Sequence, residues 1–364
     1  MSALMVFRDS IKVGFETDNL KAGPKVFMSR LKEQLQREEC FSEENYNIWI
    51  HTTVTPLPDK VKKKRRRGKC KVLMRSAGAR NIDFTPHIIG SPAKLLDPIV
   101  NYPLSKYFNR FLYKNIYKEN IDYVIYQSEF SKQSVERLFG KTPVANSIIH
   151  NGVDLDVFKP AENRRNNNEA DFPRILISHY FKPKKRAQQS PLIIKELLKK
   201  YPNTKVVLVG STFRDTMKII KGEIARHNLE KHFDILGYVP FEQIYEIYSK
   251  ADFMLCLSYD DPCPNVVVEA LACGLPVVYT NTGGVPEIVA DAGVGVDENI
   301  DLNKRYIPHF SYKCMPQINP DDYVQAVEKL MDNYQYYHQK VSLRRDLFSI
   351  KNVAGRYMEV VEKL

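Results

Sequence analysis

Two acidic residues eight positions apart frame the segment of this chain with the clearest chemical meaning. Asp261 and Glu269 lie in DPCPNVVVEALACGLPVVYTNTGGVPE, which contains no Lys, Arg or His. The residues from Asn265 to Asn281 are almost all apolar, which predicts a buried helix around Glu269. Burying an unpaired carboxylate is costly, so we expect a ligand to supply its partner. A carboxylate that accepts two hydrogen bonds suits the vicinal hydroxyls of a ribose, and Asp261 suits sugar hydroxyls further out.

The start of the same helix is a predicted anion site. Pro264 and Asn265 favour a helix that begins at Asn265, with Asn265 as its N-cap, and Gly274 favours an end nearby. The backbone N–H groups of Val266 and Val267 then have no acceptor inside the helix. Such groups, together with the helix dipole, favour the binding of a phosphate.

A glycine pair and a basic stretch are candidates to complete this site. Gly283 and Gly284 follow a predicted strand, where small residues let a backbone approach a ligand and expose N–H donors. A basic stretch follows the first strand of the second half. Its cations are Lys182, Lys184, Lys185 and Arg186. Cations at a helix start are unfavourable without an anion, so a phosphate role is favoured over a solvated surface, with Lys185 and Arg186 as first choices.

Strand-like and helix-like patterns alternate twice along the chain and must position these residues. Apolar strand patterns begin at Ile11, Asn47, Cys70, Asp122, Arg174, Lys205, Phe253, Pro276 and Gly293. Helical patterns cover 24–35, 129–139, 190–200, 241–250 and 285–289. This alternation predicts two doubly wound α/β domains with parallel sheets, whose ligands bind beyond the carboxyl ends of the strands in a cleft between the domains.

The predicted domains are 1–160, an Asn-rich polar linker at 161–173, and 174–346. A final amphipathic helix at 347–364 is predicted to cross back and brace the first domain, although packing on the second domain is the alternative. The length of 364 residues agrees with two domains.

The positive charge is concentrated in one short run. The net charge is +11, but nine of the basic residues lie between Lys60 and Lys71, and without them 45 basic residues face 43 acidic ones. We interpret 60–71 as a basic loop. It is either a solvated hairpin tip, a contact for an anionic membrane or anionic acceptor, or a nucleic-acid contact.

Cysteine spacing and hydropathy point to a cytoplasmic protein. The six cysteines form no CxxC pair, and several lie in apolar runs as buried free thiols do. No apolar run reaches the roughly 18 residues that a membrane span needs, and no secretory signal pattern is evident at the N-terminus. A peripheral membrane contact through the basic loop is compatible with this location. Oligomeric state cannot be read from the sequence.

The segment around Asp261 and Glu269 resembles the hallmark of the retaining GT-B glycosyltransferases of family 4, the group 1 nucleotide-sugar enzymes. That hallmark is E-x7-E followed by EAxACGxPVV and a GG-x-x-E turn, and here the first acid is Asp. IIHNGVDLDVFKP resembles the family's interdomain junction, and FSIKNVAGRYMEVVEKL its crossing C-terminal helix. The resemblance is strongest in the second half and absent across 81–107 and the basic loop.

The resemblance implies a role for each matching residue. Glu269 would bind the nucleotide ribose, and Asp261 would contact the transferred sugar or its phosphate. The amides of Asn265 and Val266 would hold the diphosphate, with Lys185 as the basic partner. Residues matched to the base-reading turn and to the phosphate-facing loop are Tyr238, Val239 and Gly23. The family's Gly-Arg reads Ser178-His179 here, so Lys182 or Arg186 must replace the missing arginine.

The implied reaction transfers a hexosyl group, with retention, from a UDP- or GDP-sugar to a hydroxyl of a glycan, glycolipid or protein-linked sugar. Helix amides and cations stabilise the leaving diphosphate, so we expect neither a metal nor a cofactor. The leaving phosphate takes the acceptor proton.

Acceptor-side residues and rival functions stay open in the sequence. The candidates in the first half are Arg75, His87 and His150, and a structural role is the alternative for each. One rival function is a nucleotide-sugar epimerase of the same fold, and another is a non-catalytic sugar-nucleotide binder. A third is a nucleic-acid protein that uses 60–71, but the run lacks the interleaved aromatic residues that stack on single strands.

Overall fold

The chain forms two compact units, each built on a parallel sheet. The computed structural model describes residues 11–18, 20, 22–52, 57–77, 120–161, 173–213, 215–298 and 315–364. The first unit is Met1–His150 with Val353–Leu364, and the second is Asn151–Asn352. In the described residues every strand pairing is parallel, which confirms the predicted class of two doubly wound α/β domains.

The first unit contains a sheet with the order β1-β2-β3-β4-β5 among its described residues. These strands are Val13–Gly14, Ile48–His51, Lys71–Ser76, Tyr123–Tyr126 and Asn146–Ile148. Its helices are α1 (Ala22–Arg37), α2 (Asp59–Arg66) and α3 (Glu129–Phe139). Helix α1 buries Phe27, Leu31 and Leu35 completely, as its apolar spacing predicts. Helix α3 begins in a capping box, because the Ser128 hydroxyl accepts from the Ser131 amide.

The second unit contains a sheet with the order β11-β10-β9-β6-β7-β8 among its described residues. These strands are β6 (Arg174–Ser178), β7 (Lys205–Val209), β8 (Phe233–Gly237), β9 (Phe253–Cys256), β10 (Val277–Thr280) and β11 (Gly293–Val296). Its helices are α4 (Ser190–Leu197), α5 (Thr216–Arg226), α6 (Phe241–Ser249), α7 (Asn265–Ala272), α8 (Val285–Val289), α9 (Pro320–Asp332) and α10 (Tyr334–Arg344). The central strands β9 and β10 are buried at every position, as expected for a parallel sheet covered on both faces.

The two units divide between His150 and Asn151, upstream of the predicted linker. The Asn151 side-chain Nδ2 donates to the Cys263 carbonyl at 3.0 Å, and Phe158 is completely buried in the core of the second unit. These contacts assign 151–158 to the second unit, whereas apolar patterning alone ends the first domain at 160. Most of the linker, 162–172, lies outside the described residues.

The C-terminal helix α11 (Ile350–Val361) begins in the second unit and continues into the first. Its residues from Val353 onward cluster with the first unit. There the ring of Tyr357 lies 6.2 Å from that of Phe27, and an Arg356 guanidinium nitrogen donates to the Ile148 carbonyl at 2.7 Å. The helix therefore crosses back to the first unit, as the predicted fold requires.

The interpretation of 60–71 as a loop is wrong. Residues 59–66 form helix α2, and Lys71 opens strand β3. The helix forms because Val61 is completely buried in the core of the first unit. Gly68, with φ of 68°, ends it by closing a turn in which the Lys69 amide donates to the Lys64 carbonyl at 3.0 Å.

Candidate nucleotide-sugar site

The candidate site lies in the second unit, where β6, β9 and β10 end side by side. Strand β6 pairs with β9, and β9 pairs with β10, so their carboxyl ends meet at one edge of the sheet. This arrangement brings together Ser178 at the end of β6, His179 directly after it, the loop with Asp261 after β9, and Gly283 after β10. Ligands of doubly wound sheets bind at such edges.

Glu269 is buried on α7 and accepts a hydrogen bond from a tyrosine. Its side chain is only 8% exposed, and the Tyr248 hydroxyl on α6 lies 3.1 Å from its carboxylate. The same hydroxyl lies 2.9 Å from the Ser178 hydroxyl. One tyrosine proton serves only one of these contacts. With Glu269 ionised, Tyr248 donates to Glu269 and Ser178 donates to Tyr248.

Tyr248 stays protonated in this position. Complete burial, followed by the neighbouring charge of Glu269, raises the pKa of Tyr248 well above its ordinary value. The expectation that only a ligand partners Glu269 is therefore wrong, since the protein supplies a neutral donor, the Tyr248 hydroxyl. Sequence reasoning missed Tyr248 because it lies 21 residues upstream on another helix and follows an ordinary amphipathic pattern.

Lys185 and Asp261, two of the predicted catalytic residues, form an ion pair. Their side chains are 8% and 15% exposed. Lys185 ends a 3₁₀ turn, Pro183–Lys185, that follows β6, and Asp261 lies in the loop after β9. The sequence places the two residues 76 positions apart, and the sheet topology brings them into contact.

His179 is a fully buried imidazole next to this pair. Its Nε2 lies 4.0 Å from the Cys256 sulfur. Burial, and then the positive charge of Lys185, lowers the pKa of His179 well below its ordinary value. The imidazole is therefore neutral at physiological pH and does not replace the cation of the missing arginine.

The start of α7 differs in detail from the predicted anion site. The Val267 amide donates to the Pro264 carbonyl at 3.1 Å, so it is not available to a ligand. Asn265 does not cap the helix, because its side-chain oxygen accepts from the Asn151 side-chain Nδ2 at 2.6 Å. Within the described part of the chain, the Val266 amide has no hydrogen-bond acceptor, and it remains the better candidate for a phosphate contact.

The glycine pair shapes the Asp261 loop. The Gly284 amide donates to the Asp261 carbonyl at 2.8 Å, so it is not a free donor as predicted. Gly283 has φ of 71°, and a Cβ there would lie 2.5 Å from the same carbonyl oxygen. Both glycines thus let the turn after β10 approach the Asp261 backbone, which fixes the loop that carries the acid.

Arg186 is a structural residue, contrary to its predicted role in phosphate binding. It is completely buried, and its guanidinium forms a two-point ion pair with Glu298 at 2.8 and 2.9 Å. It also donates to the Leu257 carbonyl at 2.9 Å and the Thr280 hydroxyl at 2.6 Å. These contacts occupy both ends of the guanidinium and tie together the ends of β9 and β10.

The remaining donor-side candidates lie at the periphery or outside this site. Lys182 is half-buried just before the 3₁₀ turn, and the Tyr238 side chain is 73% exposed after β8. Val239 lines a depression of about 340 Å³ between β8 and α6. Gly23 lies in the first turn of helix α1, so its predicted position in a loop is wrong.

Of the acceptor-side candidates, Arg75 is placed in the core of the first unit. It is 2% exposed, and its guanidinium stacks over the Phe27 ring at 4.1 Å. The Gln127 amide oxygen accepts from it at 2.8 Å in the amide orientation that satisfies both groups. Arg75 is therefore structural. His150 is half-buried at the end of the first unit, and His87 lies outside the described residues.

The described residues contain neither a metal cluster nor a membrane-spanning helix. Among the described residues, no three His, Cys, Asp or Glu side chains group closely enough to hold a metal ion. No helix in those same ranges combines the length and the apolar character that a bilayer crossing requires.

Comparison with known proteins identifies the family. The model of the glycosyl transferases group 1 family matches residues 158–342, just over half of the chain. The chain therefore belongs to this glycosyltransferase family, as its resemblance implied. The matched region lies entirely in the second unit, which carries the candidate site.

Curated relatives share part of their length with this chain. One is a phosphatidylinositol N-acetylglucosaminyltransferase subunit of Arabidopsis thaliana. It is 28% identical over 247 residues, which cover 67% of this chain and 53% of the relative. D-inositol 3-phosphate glycosyltransferase of Mycobacterium bovis is 26% identical over 183 residues, which cover 49% of this chain and 38% of the relative. The chain thus spans about half or less of the curated relatives it matches.

Solved structures share the whole fold. Anabaena Alr3699/HepE in complex with UDP superposes with a TM-score of 0.69 at 16% identity, covering 97% of this chain and 100% of that one. Sucrose-phosphate synthase from Thermosynechococcus elongatus gives a TM-score of 0.63 at 18% identity, covering 93% and 77%. At such identities the likeness establishes the GT-B fold.

Proposed function

We propose that this protein transfers a hexosyl group from a UDP-sugar to a hydroxyl of an inositol-bearing phospholipid, with retention at the anomeric carbon. The Lys185–Asp261 ion pair, held beside the start of α7, carries the proposal. An ammonium has three N–H donors, so Lys185 can contact a phosphate oxygen while it remains paired with Asp261. The helix dipole and the Val266 amide add positive potential at the same place.

The ribose contact is assigned to Glu269. Tyr248 donates one hydrogen bond to this carboxylate and fixes its orientation. A carboxylate has two oxygens that together accept several hydrogen bonds, which suits the two hydroxyls of a ribose. UDP is our first choice of nucleotide because Alr3699/HepE, which shares the fold, is described in complex with UDP.

The chemical step that we propose depends on stabilising the departing diphosphate. Lys185 and the first backbone amides of α7 stabilise the negative charge of the diphosphate. Because they are already in position, they need not move during the reaction, and such preorganised stabilisation is usually the largest contribution to catalysis. Asp261 holds Lys185 in place and contacts the sugar or its phosphate. The leaving phosphate accepts the proton of the acceptor hydroxyl, and no metal ion takes part in this scheme.

The choice of acceptor is supported by what two relatives have in common. Their names describe a phosphatidylinositol and an inositol 3-phosphate as acceptors, so both carry an inositol phosphate. We select the lipid form because the relative with the longer match is the phosphatidylinositol enzyme.

A donor and acceptor panel tests this function. Calorimetry with UDP, UDP-N-acetylglucosamine, UDP-glucose and GDP-mannose is expected to show binding of the UDP compounds. Incubation with phosphatidylinositol should give a glycolipid whose anomeric configuration, read by NMR, matches that of the donor, with or without a chelator. Epimerised donor without transfer would identify an epimerase, and binding without turnover would identify a sugar-nucleotide binder.

A pair of variants separates catalysis from stability. Lys185→Met leaves Asp261 buried without its ion-pair partner, so it should cost about 3–5 kcal/mol of unfolding free energy. The double variant Lys185→Met/Asp261→Asn should recover most of that stability but remain at least about 100-fold slower in transfer. Urea denaturation and initial rates measure both quantities. Full activity in the double variant would contradict the assignment.

A further inference from the structure

The outward side of helix α2 and the turn that follows it carry a cluster of exposed cations that the donor site does not use. We call it the basic face. Its members are Lys63, Arg66, Arg67 and Lys69. Residues 63, 66 and 67 follow a spacing of three and four, which places them on one side of a helix.

The opposite side of the helix anchors it to the first unit. Val61 is completely buried, and the Lys64 ammonium lies 3.8 Å from the centre of the Tyr46 ring. Arg65 forms an ion pair with Asp122, which also accepts from the Val72 amide at 2.7 Å. Cations on the inward side are thus bound by the protein itself.

The cations of the basic face are not neutralised in this way. None of the four forms an ion pair or a side-chain hydrogen bond within the residues that the structure describes. Asp59, the acid of the same helix, is paired with Lys62 at 3.0 Å. Like charges at a spacing of three and four repel one another on a helix. A negatively charged surface bound to these cations would reduce that repulsion.

The excess positive charge of the chain is local to this helix and the residues that follow it, up to Lys71. Without 60–71 the chain carries 45 basic and 43 acidic residues, so the rest of the protein adds almost no net charge. A compact cationic patch on a nearly neutral protein orients the molecule toward an anionic surface.

We propose that the basic face docks the protein on a membrane surface that carries anionic phospholipid headgroups. Membrane contact is favoured over nucleic acid because 60–71 contains no aromatic residue to stack on bases. Because Val61, the apolar residue of the helix, points inward, contact is electrostatic and does not involve insertion. This inference is independent of the donor site and of the proposed acceptor.

Vesicle flotation of the full chain tests the proposal. Wild-type protein should bind phosphatidylcholine vesicles that contain phosphatidylserine, but not vesicles of phosphatidylcholine alone. Each cation near such a surface contributes about fivefold in affinity, so changing all four to Gln should weaken binding by more than about 100-fold. About 1 M salt, where the Debye length is about 3 Å, should release the wild type.

Two further variants serve as controls. One exchanges Lys and Arg within the basic face, keeps the charge, and should bind like the wild type. The other removes four exposed cations elsewhere in the chain. Those residues are Lys218, Lys221, Arg226 and Lys231. UDP binding by calorimetry should be unchanged in every variant. Loss of vesicle binding can then be assigned to the basic face and not to damage at the donor site.

Three outcomes would overturn the docking assignment. Equal vesicle binding by the wild type and the four-Gln variant would show that another surface docks. Retention on vesicles at about 1 M salt would indicate insertion. Tighter binding to duplex DNA than to anionic vesicles at the same salt concentration, lost in the four-Gln variant, would assign the basic face to nucleic acid.

Discussion

At the scale of single residues, the site is defined by how each charge is held. Glu269 receives a hydrogen bond from Tyr248, Asp261 is paired with Lys185, and His179 is kept neutral by burial. These contacts therefore hold the side chains in place before a ligand arrives. Such preorganisation removes the cost of reordering when negative charge develops.

Tyr248→Phe tests the orientation of Glu269. The variant removes one hydroxyl and leaves the packing of α6 unchanged, so UDP affinity should fall about tenfold, or ~1.4 kcal/mol. Calorimetry measures the change. Tyr245→Phe, on the same helix, is the matched control and should bind UDP like the wild type. Wild-type affinity in Tyr248→Phe would show that Glu269 needs no positioning.

His179 makes stability depend on pH in a definite direction. Burial holds its folded pKa well below the value near 6.5 that an unfolded chain shows. The unfolded state therefore binds more protons below about pH 6.5, and stability that is complete above that pH is lost as the pH falls, by up to about 1.4 kcal/mol per pH unit. Urea denaturation from about pH 8 to about pH 5.5 should show this slope. The slope should shrink in His179→Gln, and an identical slope would contradict the assignment.

At the scale of elements, sequence patterns predict the strands and helices that carry the site but not their side-chain partners. The apolar runs around β6, β9, β10 and α7 are strong because these elements are buried. The phosphate role predicted for Arg186 is wrong because its ion-pair partner, Glu298, lies 112 residues away. A partner at such a distance leaves no local signal.

The basic run illustrates the same limit. Nine cations in a short segment suggest a solvated loop, yet one buried Val61 and the distant Asp122 are enough to order a helix there. Strand β8 is likewise not predicted, because it lies at the sheet edge, where only Phe233 of its residues is buried, and because it includes Asp234.

Gly283 offers a test at the level of the turn. Ala at this position would place a Cβ 2.5 Å from the Asp261 carbonyl oxygen in a left-handed backbone conformation. We expect Gly283→Ala to cost about 1–3 kcal/mol and to slow transfer by moving Asp261. Gly222→Ala is the control, because that glycine lies in helix α5 with open space around it and should gain up to about 1 kcal/mol. Urea denaturation and initial rates give both values.

At the scale of the whole molecule, the last helix ties the end of the chain to its beginning. Helix α11 starts among the residues of the second unit, and its later residues pack in the first, where Tyr357 contacts Phe27. The integrity of the first unit therefore depends on residues that are more than 300 positions away in the chain. A chain that lacks them would lose part of the core of that unit.

Tyr357→Ala measures this dependence. Tyr357 is 1% exposed, and removing a buried aromatic side chain costs about 3–5 kcal/mol. Hydrogen exchange should therefore show lost protection in α1, while β6 and β7 keep theirs. Glu359→Ala, an exposed change on the same helix, should leave exchange unaltered. Equal loss of protection in both units would show that they unfold as one.

The confinement of Ser178, Lys185, Tyr248, Asp261 and Glu269 to Asn151–Asn352 has an evolutionary consequence. Under the proposed donor site, substitutions elsewhere in the chain leave nucleotide recognition unaltered, so acceptor preferences can change while the donor chemistry is inherited intact. A lineage of such proteins is expected to diversify mainly in its first 150 residues, which is where the family model finds no match in this chain.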